Sequence, residues 1–201
     1  MEQENPNGNG AHYEISDDPL LEVRGLKKYF PIVKGIFGAT AGYVRAADDV
    51  SFTISRGETL GLVGESGCGK TTVGRTIARA YKPTAGSMTY YGDRDKPVDL
   101  ASLSERDLKA YRRDMRMIFQ DPYASLNPRM TLLDIVGAPL RSLGIARGQE
   151  LEDRVAEMLR LVGLRPEYMR RYPHAFSGGQ RQRIGLARAL APHPKFLVCD
   201  E

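Results

Sequence analysis

The sequence predicts a mixed α/β domain built around a phosphate-binding loop, and three observations carry that prediction. Short apolar runs that stop at Gly, Asp or Ser alternate with helical patterns along the 201 residues. The stretch Gly64-Glu65-Ser66-Gly67-Cys68-Gly69-Lys70-Thr71 fits G-x-x-x-x-G-K-[ST], follows the apolar run Thr59 to Val63 and opens a helix from Thr71 onward. A final apolar run, Phe196 to Cys199, ends in two carboxylates, Asp200 and Glu201. The length suits one core, or one domain with a subdomain.

Residues 1 to 19, rich in Asn and Gly and holding Pro6 and Pro19, read as a disordered leader without a function of its own. Strands are expected at Leu20 to Val23, Val50 to Ile54, Thr59 to Val63 and Ser87 to Tyr91, with a Gly/Ala loop from Lys34 to Tyr43. Glu105 to Arg113 reads as a short helix. Met115 to Phe119 reads as a strand that enters a turn-rich segment, Asp121 to Pro128. Leu151, Val155, Met158, Leu159 and Val162 fall at i, i+4, i+7, i+8 and i+11, an apolar helical stripe closed by Gly163 and read as ordinary core. Gly179 to Leu190 is a further helix and Lys195 to Cys199 a final buried strand. There is no internal repeat.

Composition narrows the function classes. The longest apolar stretches are four or five residues, far below the roughly 18 to 20 that cross a bilayer, and the N-terminus is acidic and polar where a secretory signal is basic and then apolar. Two cysteines, Cys68 and Cys199, exclude a disulfide framework and a four-cysteine metal site and suit a reducing cytosol. Of 25 acids, five lie in the first 18 residues, so the remainder carries 29 basic against 20 acidic groups. The excess between Arg160 and Lys195 suggests a phosphate or nucleic-acid surface. A solvated arginine-rich face explains it equally, because no aromatic stacking platform is interleaved with it.

The chemistry sits in three places. In the loop, the glycines let successive N–H groups converge on phosphate oxygens while the following helix points its positive end at the same anion. Lys70 supplies a charge for the β- and γ-phosphates and Thr71 a hydroxyl for Mg²⁺. Cys68 could be read as a catalytic thiol, but no base accompanies it, and a small side chain is all the loop requires there. Phe176-Ser177-Gly178-Gly179-Gln180 opens a helix: Ser177 is a good N-cap, and the paired glycines make a second anion-receiving terminus. Behind a phosphate-binding loop, Asp200 is placed to orient Mg²⁺ and Glu201 to polarise an attacking water.

This ordered set, together with Phe119-Gln120, resembles the nucleotide-binding domain of ABC transporters from Leu21 to the end of the chain. The run Met117 to Met130 (MIFQDPYASLNPRM) narrows the resemblance to the ATPases of dipeptide and oligopeptide importers. Gln180 and Cys68 look more like the F-type subunit than its D-type companion. The resemblance implies ATP and Mg²⁺ as cofactors and a P-loop core carrying an antiparallel β subdomain and a helical subdomain at about 121 to 176. It implies that Gly64, Ser66, Gly67, Cys68, Gly69, Lys70, Thr71 and Thr72 hold the phosphates. Gln120 would contact the metal and sense the γ-phosphate, and Asp200 and Glu201 would form the Walker B pair, with Glu201 catalytic. Phe30, chosen over Tyr29, would stack on adenine. Ser177, Gly178, Gly179 and Gln180 would close on the ATP held by a partner.

The implied partners are a second ATPase subunit of the D type, two transmembrane permeases and, indirectly, a solute-binding protein, at the cytoplasmic face of the membrane and without nucleic acid. Nickel or glutathione import is the neighbouring alternative. A soluble ABC ATPase of DNA repair or translation is the more distant one, disfavoured because the 56 residues from 121 to 176 leave no room for a large insertion. The family continues beyond the Walker B glutamate with a D-loop, a switch histidine and further strands, and His12, His174 and His193 all precede that glutamate. The resemblance thus implies a core lacking its C-terminal part, with a strand absent between those of the P-loop and Walker B, and poor ATP hydrolysis by residues 1 to 201 alone.

Overall fold

A computed structural model describes residues 18–34, 39–93, 96–118 and 126–200. Strands β1 (Pro19–Lys34) and β2 (Ala39–Ser55) form a long antiparallel hairpin, and β3 (Ala85–Tyr90) and β4 (Val98–Asp99) extend it into a four-stranded antiparallel sheet of order β2-β1-β3-β4. A second, parallel pair joins β5 (Met115–Ile118) to β6 (Phe196–Cys199), with Met115 opposite Phe196 and Ile118 opposite Cys199. Helix α1 (Lys70–Ile77) follows the glycine loop, and α2 (Glu105–Leu108) runs on into a 3₁₀ turn, Lys109–Arg112. Helices α3 (Leu132–Ser142), α4 (Gly148–Leu161) and α5 (Gly178–Leu190) complete the order.

Two cores result. Leu21, Val23 and Leu26 of β1 and Met88 and Tyr90 of β3 bury with Val73 and Ile77 of α1, Leu108, Met115 and Phe196. This core places α1 between the antiparallel sheet and the β5–β6 pair. The helical core gathers Leu132, Val136 and Leu140 of α3, the stripe Leu151, Val155, Met158, Leu159 and Val162, and Ile184 and Ala187 of α5. The α4 stripe is therefore core, as its period predicts, and Gly163 ends it at φ 72.

Four expectations are corrected. Pro19 belongs to the sheet rather than to a leader, pairing with Ser55, and Asp18 just before it meets Arg56 at 3.2 Å. Residues 1–17 lie outside the described residues. Ala39 to Tyr43 are strand rather than loop, because Tyr43, Gly42 and Thr40 pair with Pro31, Ile32 and Val33. Thr59 to Val63 is not a strand: among the described residues it joins neither sheet, and Leu60, Leu62 and Val63 are exposed, Val63 to 94%. Apolar character alone does not make a strand; the ladder partner does. Finally, β6 is buried only at Phe196 and opens progressively towards Cys199.

Candidate functional site

The loop is exposed from Gly64 to Cys68, with Gly69 half-buried, and folds on itself, so that a Cβ on Gly64 would stand 2.7 Å from the Cys68 sulfur. Gly69, at φ 102, lies so close to β2 that a Cβ there would be 2.0 Å from the Ala46 carbonyl oxygen. Only glycine satisfies both constraints. Gly67 also has positive φ, 81, but with open space around it. The loop delivers the chain into α1, whose first N–H groups, from Lys70 onward, have no carbonyl one turn back and point out of the helix end.

Lys70 turns back over this concavity. Its ammonium donates to the carbonyl oxygens of Gly64 and Glu65, both at 2.7 Å, and lies 3.7 Å from Cys68 Sγ. The ammonium and the N–H groups that open α1 are the donors of a candidate anion cradle. Among the described residues, the side chain shown in contact with the Cys68 sulfur is this lysine.

One turn into the cradle, Thr71 Oγ1 donates to Asp200 Oδ1 at 2.8 Å, joining residues 129 positions apart. The close approach of α1 to β6 brings them together: a Cβ on Gly74 would contact Val198 Cγ1 at 3.2 Å. Asp200 Oδ2 is buried without a hydrogen-bond partner, and its nearest cation is Arg75, whose NH2 is 3.5 Å away. A hydroxyl and an orphaned buried carboxylate oxygen are hard donors. They fit Mg²⁺, which takes one or two protein oxygens and completes its shell with water and substrate phosphates. Among the described residues no group of three or more His, Cys, Asp or Glu could hold a metal by itself.

Arg75 and Tyr81 escape the sequence reading. Arg75 lies four residues after Thr71, on the same face of α1; its NH1 is 3.3 Å from the Tyr81 hydroxyl. Tyr81, and then Asp200, hold the guanidinium above its ordinary pKa. The i+4 spacing from Thr71 is the signal that could have found it. Tyr81 also meets Phe30 edge to face, with ring centres 5.5 Å apart, and the Lys28 ammonium lies 4.7 Å from the Phe30 ring centre. Phe30 pairs with Val44 on β2, two residues from the Ala46 carbonyl that touches Gly69, so the half-buried ring lies on strands that adjoin the loop. Tyr29 is instead tied to Asp48, its hydroxyl donating to that carboxylate at 2.5 Å.

Ser177 to Gln180 form a separate feature. The Ser177 hydroxyl accepts from the Gln180 N–H at 3.3 Å and Gln180 Oε1 accepts from the Ser177 N–H at 3.0 Å, a capping box that starts α5. The capping reading of Ser177 is thus realised, while Gly178 is half-buried and Gly179 exposed at the helix end. Gln120 and Glu201 lie outside the described residues.

The ABC transporter family profile matches residues 47–201. The chain belongs to the ABC transporter family. Its similarity to individual members is high. An oligopeptide transport ATP-binding protein of Bacillus subtilis, AppF, is 50% identical over 187 residues, covering 92% of this chain and 55% of that protein. A second, OppF of the same organism, is 49% identical over 92% of this chain and 57% of its own length. A glutathione import ATP-binding protein of Salmonella paratyphi A is 48% identical over 93% of this chain and 29% of its own. The chain spans about half the length of the two Bacillus relatives. Among solved structures, a dimeric ATP-binding cassette in a post-hydrolysis state with ADP and Pi superposes with a TM-score of 0.74 at 29% identity, over 89% of this chain and 72% of that one. The chain has the ABC nucleotide-binding fold, a mixed α/β architecture with an antiparallel sheet and helices. Among the described residues no helix is long and apolar enough to cross a membrane.

Proposed function

We propose that this chain is the nucleotide-binding part of an ATPase that binds MgATP and hydrolyses it to drive import of peptides through a membrane permease. The observation that carries the reading is the junction of Lys70, Thr71 and Asp200 at the start of α1. Lys70 would exchange its own loop carbonyls for the β- and γ-phosphates, and the N–H groups from Gly67 to Thr72 would receive the remaining phosphate charge. Thr71 and Asp200 would hold Mg²⁺, which neutralises charge on the transferring phosphoryl group. Phe30 would stack on adenine. Gln120 would sense the γ-phosphate, and Glu201 would accept the proton of the water attacking it, with ADP leaving.

Ser177 to Gln180 would close on the ATP of a second ATPase subunit, of the D type, so that two nucleotides lie between two subunits. Two solved structures of one cassette of this fold are dimeric, which supports that arrangement. Two permeases and, through them, a solute-binding protein complete the proposed assembly, with this subunit at the cytoplasmic face and no nucleic acid involved. Peptide as cargo rests on the names of the Bacillus relatives. Glutathione, itself a tripeptide, is the second reading, supported by the Salmonella relative. Uptake of labelled oligopeptide, glutathione and nickel in cells deleted for this protein and its permeases, with and without the restored protein, tests the cargo. Loss of oligopeptide uptake alone supports the proposal; loss of nickel or glutathione uptake alone contradicts it.

A further inference from the structure

Asp200 has a cation beside it that the family motifs do not include. Arg75 NH2 stands 3.5 Å from Asp200 Oδ2, the buried oxygen with no hydrogen bond, while Oδ1 is taken by Thr71. The guanidinium is held from its other end by Tyr81, NH1 to hydroxyl 3.3 Å. The carboxylate is mostly buried, its side chain 10% exposed against 34% for Arg75, so the pair is screened less than a surface ion pair. Lys70 rests in a comparable way on its own loop carbonyls. Both cations of α1 beside the site, Lys70 and Arg75, are thus held by oxygens of the chain itself.

We propose that Arg75 is the stand-in cation for Asp200 in the metal-free site, competing with Mg²⁺ for Oδ2 and so setting the Mg²⁺ concentration at which nucleotide binding becomes metal-dependent. The inference rests on the reading of Asp200 as the metal carboxylate. Arg75 is a positioning residue; it acts through Asp200 and touches no substrate. Two positive groups cannot both hold one carboxylate oxygen at contact distance without repelling each other. Removing the guanidinium therefore leaves Asp200 as an uncompensated buried charge in the metal-free state and raises its demand for a divalent cation.

The test titrates Mg²⁺ against binding of a fluorescent ATP analogue by the full chain, with a parallel series in EDTA. Arg75→Ala is expected to lower the half-saturating Mg²⁺ about tenfold, equal to about 1.4 kcal/mol, and to leave binding in EDTA within about twofold, since this residue does not contact phosphate. Arg75→Lys, which keeps the charge, should restore most of the wild-type value. Tyr81→Phe, a milder change that removes only the hydroxyl, should shift the Mg²⁺ requirement in the same direction by less. An unchanged or raised Mg²⁺ requirement in both Arg75→Ala and Tyr81→Phe overturns the inference. Asp200→Asn in the same titration separates the two layers: loss of the Mg²⁺ dependence upholds Asp200 as the metal carboxylate whatever Arg75 does, whereas a retained dependence overturns that reading and the inference with it.

Discussion

Substituting Gly69 and Gly67 separately by Ala would measure how tightly β2 constrains the phosphate-binding loop. Both have positive φ, 102 and 81, and each would pay about 1–2 kcal/mol for an L-residue in that region. They differ in surroundings. A Cβ on Gly67 meets nothing within 4 Å, but a Cβ on Gly69 stands 2.0 Å from the Ala46 oxygen and 3.2 Å from its carbon. Real Cβ contacts do not fall below 3.0 Å, so β2 or the loop must move by about an ångström. β2 is paired with β1 from Ser55 to Ala39, and a forced shift of this kind costs about 1–3 kcal/mol more. The expectation is about 2–5 kcal/mol lost in Gly69→Ala against about 1–2 in Gly67→Ala. Urea unfolding followed by far-UV circular dichroism gives the two values. Nucleotide titration should show the greater loss in Gly69→Ala as well, because its displacement moves Lys70 and Thr71. Equal losses in the two variants would refute the contact with Ala46 as the constraint.

Three further outcomes follow from local geometry. Ser177→Ala removes one half of the capping box at α5 and should lower stability by about 1 kcal/mol in the same urea experiment; no change would mean that the cap is idle. The Asp134 carboxyl is held below its usual range, chiefly by the Thr131 hydroxyl at 2.7 Å and then by Arg141. A depressed carboxylate stabilises the fold above its unfolded pKa and loses that contribution as pH falls through the folded value. Wild type should therefore exceed Asp134→Asn in melting temperature at pH 7 and lose the advantage as pH falls below about 4, by a small margin because Asp134 is 44% exposed; a difference that stays constant on acidification would contradict this. Phe30→Ala should weaken nucleotide binding more than Tyr29→Ala does, since Tyr29 is occupied by Asp48; the reverse order would move adenine to Tyr29.

The parts of the fold legible in the sequence were those fixed by local chemistry. The α4 stripe, the Ser177 cap and the glycine loop are each decided within a few residues, and the structure places them where the pattern does. Helix α3 was hidden because Pro139 stands inside it, although Thr131 and Asp134 mark its start plainly. Thr59 to Val63 misled because a run of apolar residues records burial potential, whereas a strand needs a neighbour's hydrogen bonds. The candidate site divides in the same way. Motif spacing alone names Lys70, Thr71 and Asp200, and the structure joins Thr71 to Asp200 one residue after Lys70. Motif spacing does not name Arg75 and Tyr81, because their meaning appears only when β6 lies alongside α1, 125 residues away for Arg75 and Asp200.

The central claim, that Lys70 over the glycine loop forms a nucleotide phosphate site, is tested most directly by equilibrium titration of wild type and Lys70→Ala with a fluorescent ATP analogue in Mg²⁺. Loss of a charge-assisted bond to phosphate should weaken binding by about 1.5–3 kcal/mol, roughly 10- to 150-fold, with the melting temperature little changed. Unchanged affinity in a folded Lys70→Ala protein would contradict the phosphate site.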